Sequence, residues 1–253
     1  MISTLTEPVN TDTKNVKVAK HCDSTVKSYL NRFLPFVILT FILLISVSLE
    51  ALALSTQEQQ MIAFSRTNFG ERAALRMKAW RDVTHSMQQK PLKTQLIEVN
   101  NFFNQLRFID DIKLWGLNDY WATPIQFLNV GGGDCEDFSI AKYTTLRELG
   151  VADDKLRLIY VKALDYNQFH MVVAYYETPS SIPLILDNLD GDIKPATQRS
   201  DLVPIYSFNA SNLWITKSNS STRAGDASKL SSWTNLRNRS KQDTRRPIMN
   251  LDQ

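Results

Sequence analysis

A cysteine preceded by three glycines is the residue of this sequence with the clearest chemical potential. Cys135 lies in the segment GGGDCED (residues 131–137), directly before a helix-like stretch from Phe138 to Leu149. The glycines give a backbone that accepts positive φ and lets a substrate approach closely. A thiol in the first turn of a helix faces unpaired N–H groups and the positive end of the helix dipole, which favour its thiolate form. The pattern predicts a nucleophilic cysteine.

Further along the chain, a histidine and an aspartate complete the set of side chains that a thiol acyl-transfer enzyme needs. His170 stands in the apolar run QFHMVVAYY, and Asp187 closes the run PLILD. An imidazole can take the thiol proton and return it to the leaving amine, and a carboxylate can orient that imidazole. The structural alternatives are a core histidine and a turn-forming aspartate. Asn188 and Asp190 compete with Asp187 for the orienting role.

The N-terminal region has the pattern of an export signal. Residues 1–32 are polar with several basic side chains, residues 33–49 are almost wholly apolar, and Ala51–Ala53 offers an A-x-A cleavage site. The alternative is an uncleaved membrane anchor, since an apolar run of about 17 residues is near the spanning minimum. In either case we expect the body of the protein to be periplasmic.

Cysteine usage supports a functional thiol. Cys22 precedes the apolar run, so Cys135 is the single cysteine of the exported part and has no disulfide partner. A lone thiol in an oxidising compartment is a liability unless it is used. A buried, inert cysteine is the alternative, but the glycines and charged neighbours argue against burial.

Composition and charge define three regions and exclude two functions. We predict an N-terminal extension (1–54), one catalytic domain (55–217) and a polar, basic tail (218–253) that is disordered because it has few apolar residues. A net charge of +3 is too small to indicate nucleic-acid binding. The glycine run lacks the pattern of a phosphate-binding loop.

The secondary-structure pattern predicts an α+β domain. Helices are expected over 56–69 (capped by Thr56 with Gln59), over 71–89 and over 96–106, before the nucleophile helix. Strands follow at 158–164, 170–176 and 183–186, with 213–215 as the last strand. We therefore expect the nucleophile helix to pack on an antiparallel sheet.

Several of these segments together resemble a known family. The segment GDCEDFSIAKY (133–143), His170–Met171 and LDNL (186–189), with DYWATP (119–124) and PIYSFN (204–209), are similar to the bacterial transglutaminase-like cysteine proteinases of the LapG type. The similarity spans residues 55–215. It implies a papain-like/transglutaminase-like fold, a Cys135–His170–Asp187 triad and calcium dependence.

The resemblance also implies a substrate and a regulator. Proteases of this type cut the N-terminal region of a large cell-surface adhesin, which releases the adhesin and promotes biofilm dispersal. An inner-membrane receptor for cyclic di-GMP sequesters them. We expect the same partners for this chain.

Three carboxylates flank the predicted nucleophile. Asp134, Glu136 and Asp137 oppose ionisation of a thiol that must become an anion. They can cap the helix, but capping needs one carboxylate and not three. A divalent cation would neutralise them, and an all-oxygen ligand set suits calcium. We predict a calcium site at these three residues, with Asp154 as a fourth ligand if the chain folds back.

Two open points concern the chemistry. The backbone N–H of Cys135 is a predicted oxyanion donor, and the indole of Trp115 or Trp121 is a candidate for the second. The side chains of Cys135, His170 and Asp187 would also serve a true transglutaminase, in which an amine replaces water. They could also persist in a binding module that keeps the fold without activity. The intact set of catalytic residues argues against a module without activity.

Overall fold

The chain divides into two units, residues 1–53 and 54–253. The computed structural model describes residues 54–217, 220–239 and 245–252. The export segment expected from the sequence lies outside the described residues, as does Cys22. Within the described ranges, no helix is both long and apolar enough to cross a bilayer.

Seven α-helices lie in the described residues. They are α1 (Thr56–Phe69), α2 (Glu71–Met87), α3 (Leu92–Phe103), α4 (Asp111–Leu114), α5 (Pro124–Val130), α6 (Cys135–Glu148) and α7 (Ser231–Asn238). Ser55 caps α1 in a capping box with Glu58, one residue before the predicted cap at Thr56. Helix α3 begins directly after Pro91, four residues before its predicted start at residue 96.

A seven-stranded antiparallel sheet follows the first six helices. Its strands are β3 (Leu156–Ala163), β4 (Gln168–Tyr175), β5 (Leu184–Leu186), β6 (Lys194–Pro195), β7 (Leu202–Phe208), β8 (Asn212–Lys217) and β9 (Ser220–Asp226), in the order β6-β5-β4-β3-β7-β8-β9. Two short parallel strands, β1 (Arg107–Phe108) and β2 (Gly132–Gly133), pair in front of α6.

The core lies between the helices and one face of this sheet. Helix α6 packs against β4 and β3 on one side and against α3 and α5 on the other. Phe138 of α6 contacts Phe127 of α5 edge-on, and both rings are buried. The prediction of an α+β fold with the nucleophile helix on an antiparallel sheet is confirmed.

The prediction of a disordered tail from residue 218 is wrong for its described residues. Strand β9 extends the sheet beside β8, so the segment 213–215 does not form the last strand. Trp233 of α7 is 4% exposed and lies against the rings of Phe208 and Tyr143. Few apolar residues suffice here, because they cover a core that the rest of the chain has already built.

The last described segment also packs onto the helical part of the domain. Leu251 is buried, and its backbone oxygen accepts a hydrogen bond from Arg107 at 2.7 Å. Asp252 forms a bidentate ion pair with Arg76 of α2, at 2.7 and 2.9 Å. The domain therefore includes residues beyond the boundary expected from composition.

Candidate active site

The glycine-rich loop places Cys135 at the first position of α6. Gly131 ends α5 with φ +84°, a left-handed conformation that favours glycine. At Gly133 a Cβ atom would overlap the carboxylate of Asp137, so only glycine allows that close approach. The Asp137 carboxylate accepts hydrogen bonds from the backbone N–H groups of Ala122 (2.6 Å) and Asp134 (3.3 Å). Asp137 thereby joins the nucleophile loop to the segment before α5.

The thiol itself is more buried than the sequence suggested. Cys135 is 8% exposed, its Sγ donates a hydrogen bond to Glu136 Oε2 at 2.8 Å, and the backbone N–H of Met171 points at the sulfur. Burial and then the charges of Glu136 and Asp134 raise the pKa of the Cys135 thiol well above its ordinary value. Without a cation, burial and these charges outweigh the influence of the helix N-terminus, which was expected to lower the pKa of the thiol.

Contacts between α6 and β4 bring His170 beside the nucleophile. Ser139, one turn after Cys135, donates its hydroxyl to the backbone oxygen of Met171 at 2.8 Å. The thiol contacts the N–H of the same residue. Since His170 directly precedes Met171 in β4, its backbone is held next to the thiol. The histidine is 1% exposed.

The end of β5 supplies the carboxylate. Asp187 Oδ1 lies 2.7 Å from His170 Nε2 and also accepts the Leu189 N–H at 3.0 Å. The backbone oxygen of Asp187 accepts a hydrogen bond from the Asn104 side chain at 2.8 Å, which ties this strand end to α3. The structure therefore favours Asp187 over its two competitors. Of these, Asp190 pairs with Lys194 instead, and the amide oxygen of Asn188 is buried and has no hydrogen-bond partner within the described part of the chain.

Four carboxylates gather near Cys135. Ligand atoms of Asp111, Asp134 and Asp137 lie within 4.8 Å of one another, and those of Asp134, Cys135 and Glu136 form an overlapping group. One oxygen of Asp111 and one of Asp134 are buried with no hydrogen-bond partner in the described residues. Buried, unpaired carboxylate oxygens that converge on one point fit an oxygen-preferring divalent cation.

The crowding of these carboxylates changes their protonation. Burial, followed by repulsion from neighbouring carboxylates, raises the pKa of Asp134 to about 12. Burial also raises the pKa of Asp111 to about 6 and that of Asp137 well above its ordinary value. Without a cation these carboxylates therefore bind protons more tightly than isolated carboxylates do, and a cation would compete with those protons.

Asp154 is not part of this cluster, so its predicted role as a fourth ligand is wrong. It lies exposed in the short 3-10 turn Asp153–Lys155, past the C-terminal end of α6. The 14 residues of α6 span about 21 Å, and Asp134 precedes the other end of the helix. The nearby carboxylate of Asp153 instead accepts a hydrogen bond from the Tyr143 hydroxyl.

An open cleft of about 460 Å³ lies beside the nucleophile loop. Asp134 and Glu136 line it, together with the aromatic side chains Trp121, Tyr160 and Tyr206. Among the residues that the structure describes, the buried indole N–H groups of Trp121 and Trp115 find no hydrogen-bond partner. Because Trp121 lines the cleft and Trp115 does not, Trp121 is the better candidate for the second oxyanion donor.

Sequence reasoning missed three residues that contact or border the site. Asp111 joins the carboxylate cluster, Asp119 lines the cleft and accepts a hydrogen bond from the Ser232 hydroxyl at 3.2 Å, and Arg199 binds Asp187. Asp119 stands in the DYWATP segment that carries part of the resemblance. Asp111 and Arg199 stand in no motif, and only the fold brings them to the site.

Comparisons with known proteins place the chain in a family. Residues 56–221 match the sequence profile of the bacterial transglutaminase-like cysteine proteinases. The chain belongs to this family. A comparison with curated protein sequences gives no significant match.

Solved structures of LapG from Legionella pneumophila are similar to this chain at 42% sequence identity. The alignment with the EGTA-treated form covers 71% of this chain and 95% of the LapG chain, with a TM-score of 0.64. The alignment with the calcium-bound form covers 71% of this chain and 97% of the LapG chain, with a TM-score of 0.62. The family is thus one of cysteine proteases, and a member of it binds calcium.

Proposed function

We propose that this protein is a calcium-dependent cysteine endopeptidase with a Cys135–His170–Asp187 triad. The observation that carries the proposal is the buried 2.7 Å hydrogen bond between Asp187 and His170, beside a thiol at a helix N-terminus. Hydrogen bonds from Ser139 and Met171 hold the strand of the histidine against the helix of the thiol. This geometry supports nucleophilic catalysis.

The residues can perform both halves of a peptide-bond hydrolysis. His170 takes the thiol proton as Cys135 attacks the scissile carbonyl carbon, and the oxyanion receives hydrogen bonds from the Cys135 N–H and the Trp121 indole. The imidazolium then gives its proton to the leaving amine, and a thioester to Cys135 remains. Water attacks this thioester, loses a proton to His170 and releases the carboxylic acid, and the proton returns to the thiol.

Calcium would be held by Asp134 and Glu136, with Asp111 and Asp137 beside them. When bound, the ion would neutralise the carboxylates that oppose thiolate formation. The unpaired oxygens of Asp111 and Asp134 and the all-oxygen donor set support this role. Glu136 would also have a second role. When its carboxylate binds the ion and no longer accepts the hydrogen bond of the thiol, Cys135 is free to face His170.

We further propose that the substrate is the N-terminal region of a large cell-surface adhesin, cut in the periplasm so that the adhesin is released and the biofilm disperses. A cyclic di-GMP receptor of the inner membrane would sequester the protease. The support is the resemblance to LapG-type proteases across the catalytic domain and the apolar segment 33–49 that precedes it. The open, aromatic-lined cleft suits an extended polypeptide.

Incubation of the purified protein with an adhesin N-terminal fragment tests this proposal. We expect discrete cleavage with calcium, no cleavage with a chelator and none by Cys135→Ala. A primary-amine probe added to the reaction separates the two acyl-transfer outcomes. Incorporation of the amine into substrate without cleavage would show a transglutaminase and refute the endopeptidase proposal.

A further inference from the structure

A buried arginine contacts the carboxylate that binds the imidazole. Arg199 is 6% exposed and follows the 3-10 turn Ala196–Gln198 before β7. Its Nη2 donates to Asp187 Oδ2 at 2.7 Å, while Asp187 Oδ1 binds His170. The same guanidinium pairs with Asp201 through Nε (3.0 Å) and Nη2 (2.8 Å). Arg199 is thus held from one side by Asp201 and binds Asp187 on the other.

These contacts decide the charge of Asp187. Its side chain is fully buried, and burial raises its pKa, but hydrogen bonds from His170, Leu189 and Arg199 outweigh burial and lower the pKa of Asp187 to about 2. Arg199 is the partner of Oδ2, and without it this oxygen would be a buried acceptor with no donor. An unpaired buried carboxylate oxygen favours protonation.

The charge of Asp187 in turn decides which imidazole nitrogen carries the proton. An ionised carboxylate can only accept, so His170 Nε2 must donate and Nδ1 stays free to accept a proton. A protonated Asp187 could donate to Nε2, and the imidazole would then carry its hydrogen on Nδ1, where it cannot take the thiol proton.

We propose that Arg199 is a positioning residue that fixes the tautomer of His170 by holding Asp187 ionised, and so keeps Nδ1 ready to accept the proton of Cys135. The inference rests on the proposed protease function. Arg199 touches neither substrate nor thiol in this role and acts through Asp187.

Among the charged groups that act on Asp187 or Arg199, Lys142 and Asp201 supply the controls. Lys142 of α6 is 1% exposed and interacts with Asp187 by charge, without a hydrogen bond to it. Asp201 anchors Arg199 but does not touch Asp187. If Arg199 merely braces the loop before β7, Asp201→Asn should reproduce the effect of losing Arg199. If a nearby positive charge suffices, Lys142→Met should reproduce it.

The test combines the imidazole tautomer with cleavage kinetics. Long-range ¹H–¹⁵N correlation spectra report which ring nitrogen is protonated and require no substrate. We expect the Nε2–H form of His170 in the wild type, Asp201→Asn, Lys142→Met and Arg199→Lys, and a large Nδ1–H fraction in Arg199→Met. In cleavage assays Arg199→Met should lower kcat by about 100-fold or more, with KM within threefold, since the wrong tautomer of a triad costs up to about 10⁴. Arg199→Lys should recover most of kcat.

The inference is overturned if Arg199→Met keeps the wild-type tautomer, or if Asp201→Asn or Lys142→Met loses kcat equally. If Arg199→Met does not fold, Arg199→Gln replaces it and must show more of the Nδ1–H form than Arg199→Lys. Full cleavage by Cys135→Ala would instead refute the proposed protease function, and the tautomer spectra would still test the role of Arg199.

Discussion

Trp233→Ala should strongly destabilise the domain, although Trp233 stands in a tail that composition alone describes as disordered. Its ring centroid lies 5.3 Å from that of Phe208 and 6.0 Å from that of Tyr143, and the residue is 4% exposed. Truncation of a buried tryptophan to alanine costs about 3–5 kcal/mol of unfolding free energy. For a domain of this size each kcal/mol corresponds to roughly 2–4 °C. We therefore expect Tm to fall by about 6–20 °C.

Thermal unfolding followed by circular dichroism checks this value, with Trp214→Ala as a matched control. Trp214 is half-buried on β8 and stacks on the guanidinium of Arg157, so the same substitution removes less buried surface there. We expect a smaller loss of Tm for Trp214→Ala. A Tm for Trp233→Ala within 2 °C of the wild type would show that α7 does not stabilise the domain, and the reasoning about the tail would fail.

Three further predictions concern the site. In chelator, Tm should fall as pH rises from about 4 to about 7, because burial raises the folded-state pKa of Asp111 to about 6, so that the stability it gives is present below its unfolded pKa and is lost as pH rises through the folded value. Asp111→Asn should reduce this slope, and calorimetry that finds an equal slope in the variant would contradict the assignment. Asp134→Ala should weaken calcium binding at least tenfold while Asp154→Ala leaves it unchanged, and equal affinities by titration calorimetry would refute the cluster as the calcium site. The lowered pKa of Asp187, about 2, gives stability above about pH 4 that is lost on acidification, so Asp187→Asn should lose less Tm than the wild type between pH 4 and 2.

The local parts of the site could be predicted because the sequence determines them locally. A glycine run followed by Cys135 and a periodic apolar pattern predicts a thiol at a helix start, and α6 begins at that residue. Alternating apolar residues predict β3 and β4, whose pairing sets Val161 opposite His170. The length of α6 alone would also have excluded Asp154 from the carboxylate cluster, since the 14 residues of this helix lie between Asp134 and Asp154.

The parts that could not be predicted depend on long-range packing. Arg199 reaches Asp187 only because the loop before β7 lies beside the end of β5, and no periodicity in the sequence encodes that contact. Asp111 joins the cluster through its own short helix, 23 residues before Asp134 in the chain. The tail is polar on average, yet Trp233, Leu236 and Leu251 are buried. Average composition does not reveal a few apolar side chains that cover an existing core.

Cleavage of an adhesin N-terminal fragment during removal and return of calcium tests whether this protein is a calcium-dependent cysteine protease. We expect wild-type protein to cut in calcium, to stop in excess chelator and to resume when calcium is restored, while Cys135→Ala should never cut. Magnesium should restore little activity, because magnesium prefers a tighter octahedral shell and keeps its water. Equal cleavage in excess chelator, or cleavage by Cys135→Ala, would contradict a calcium-dependent cysteine protease.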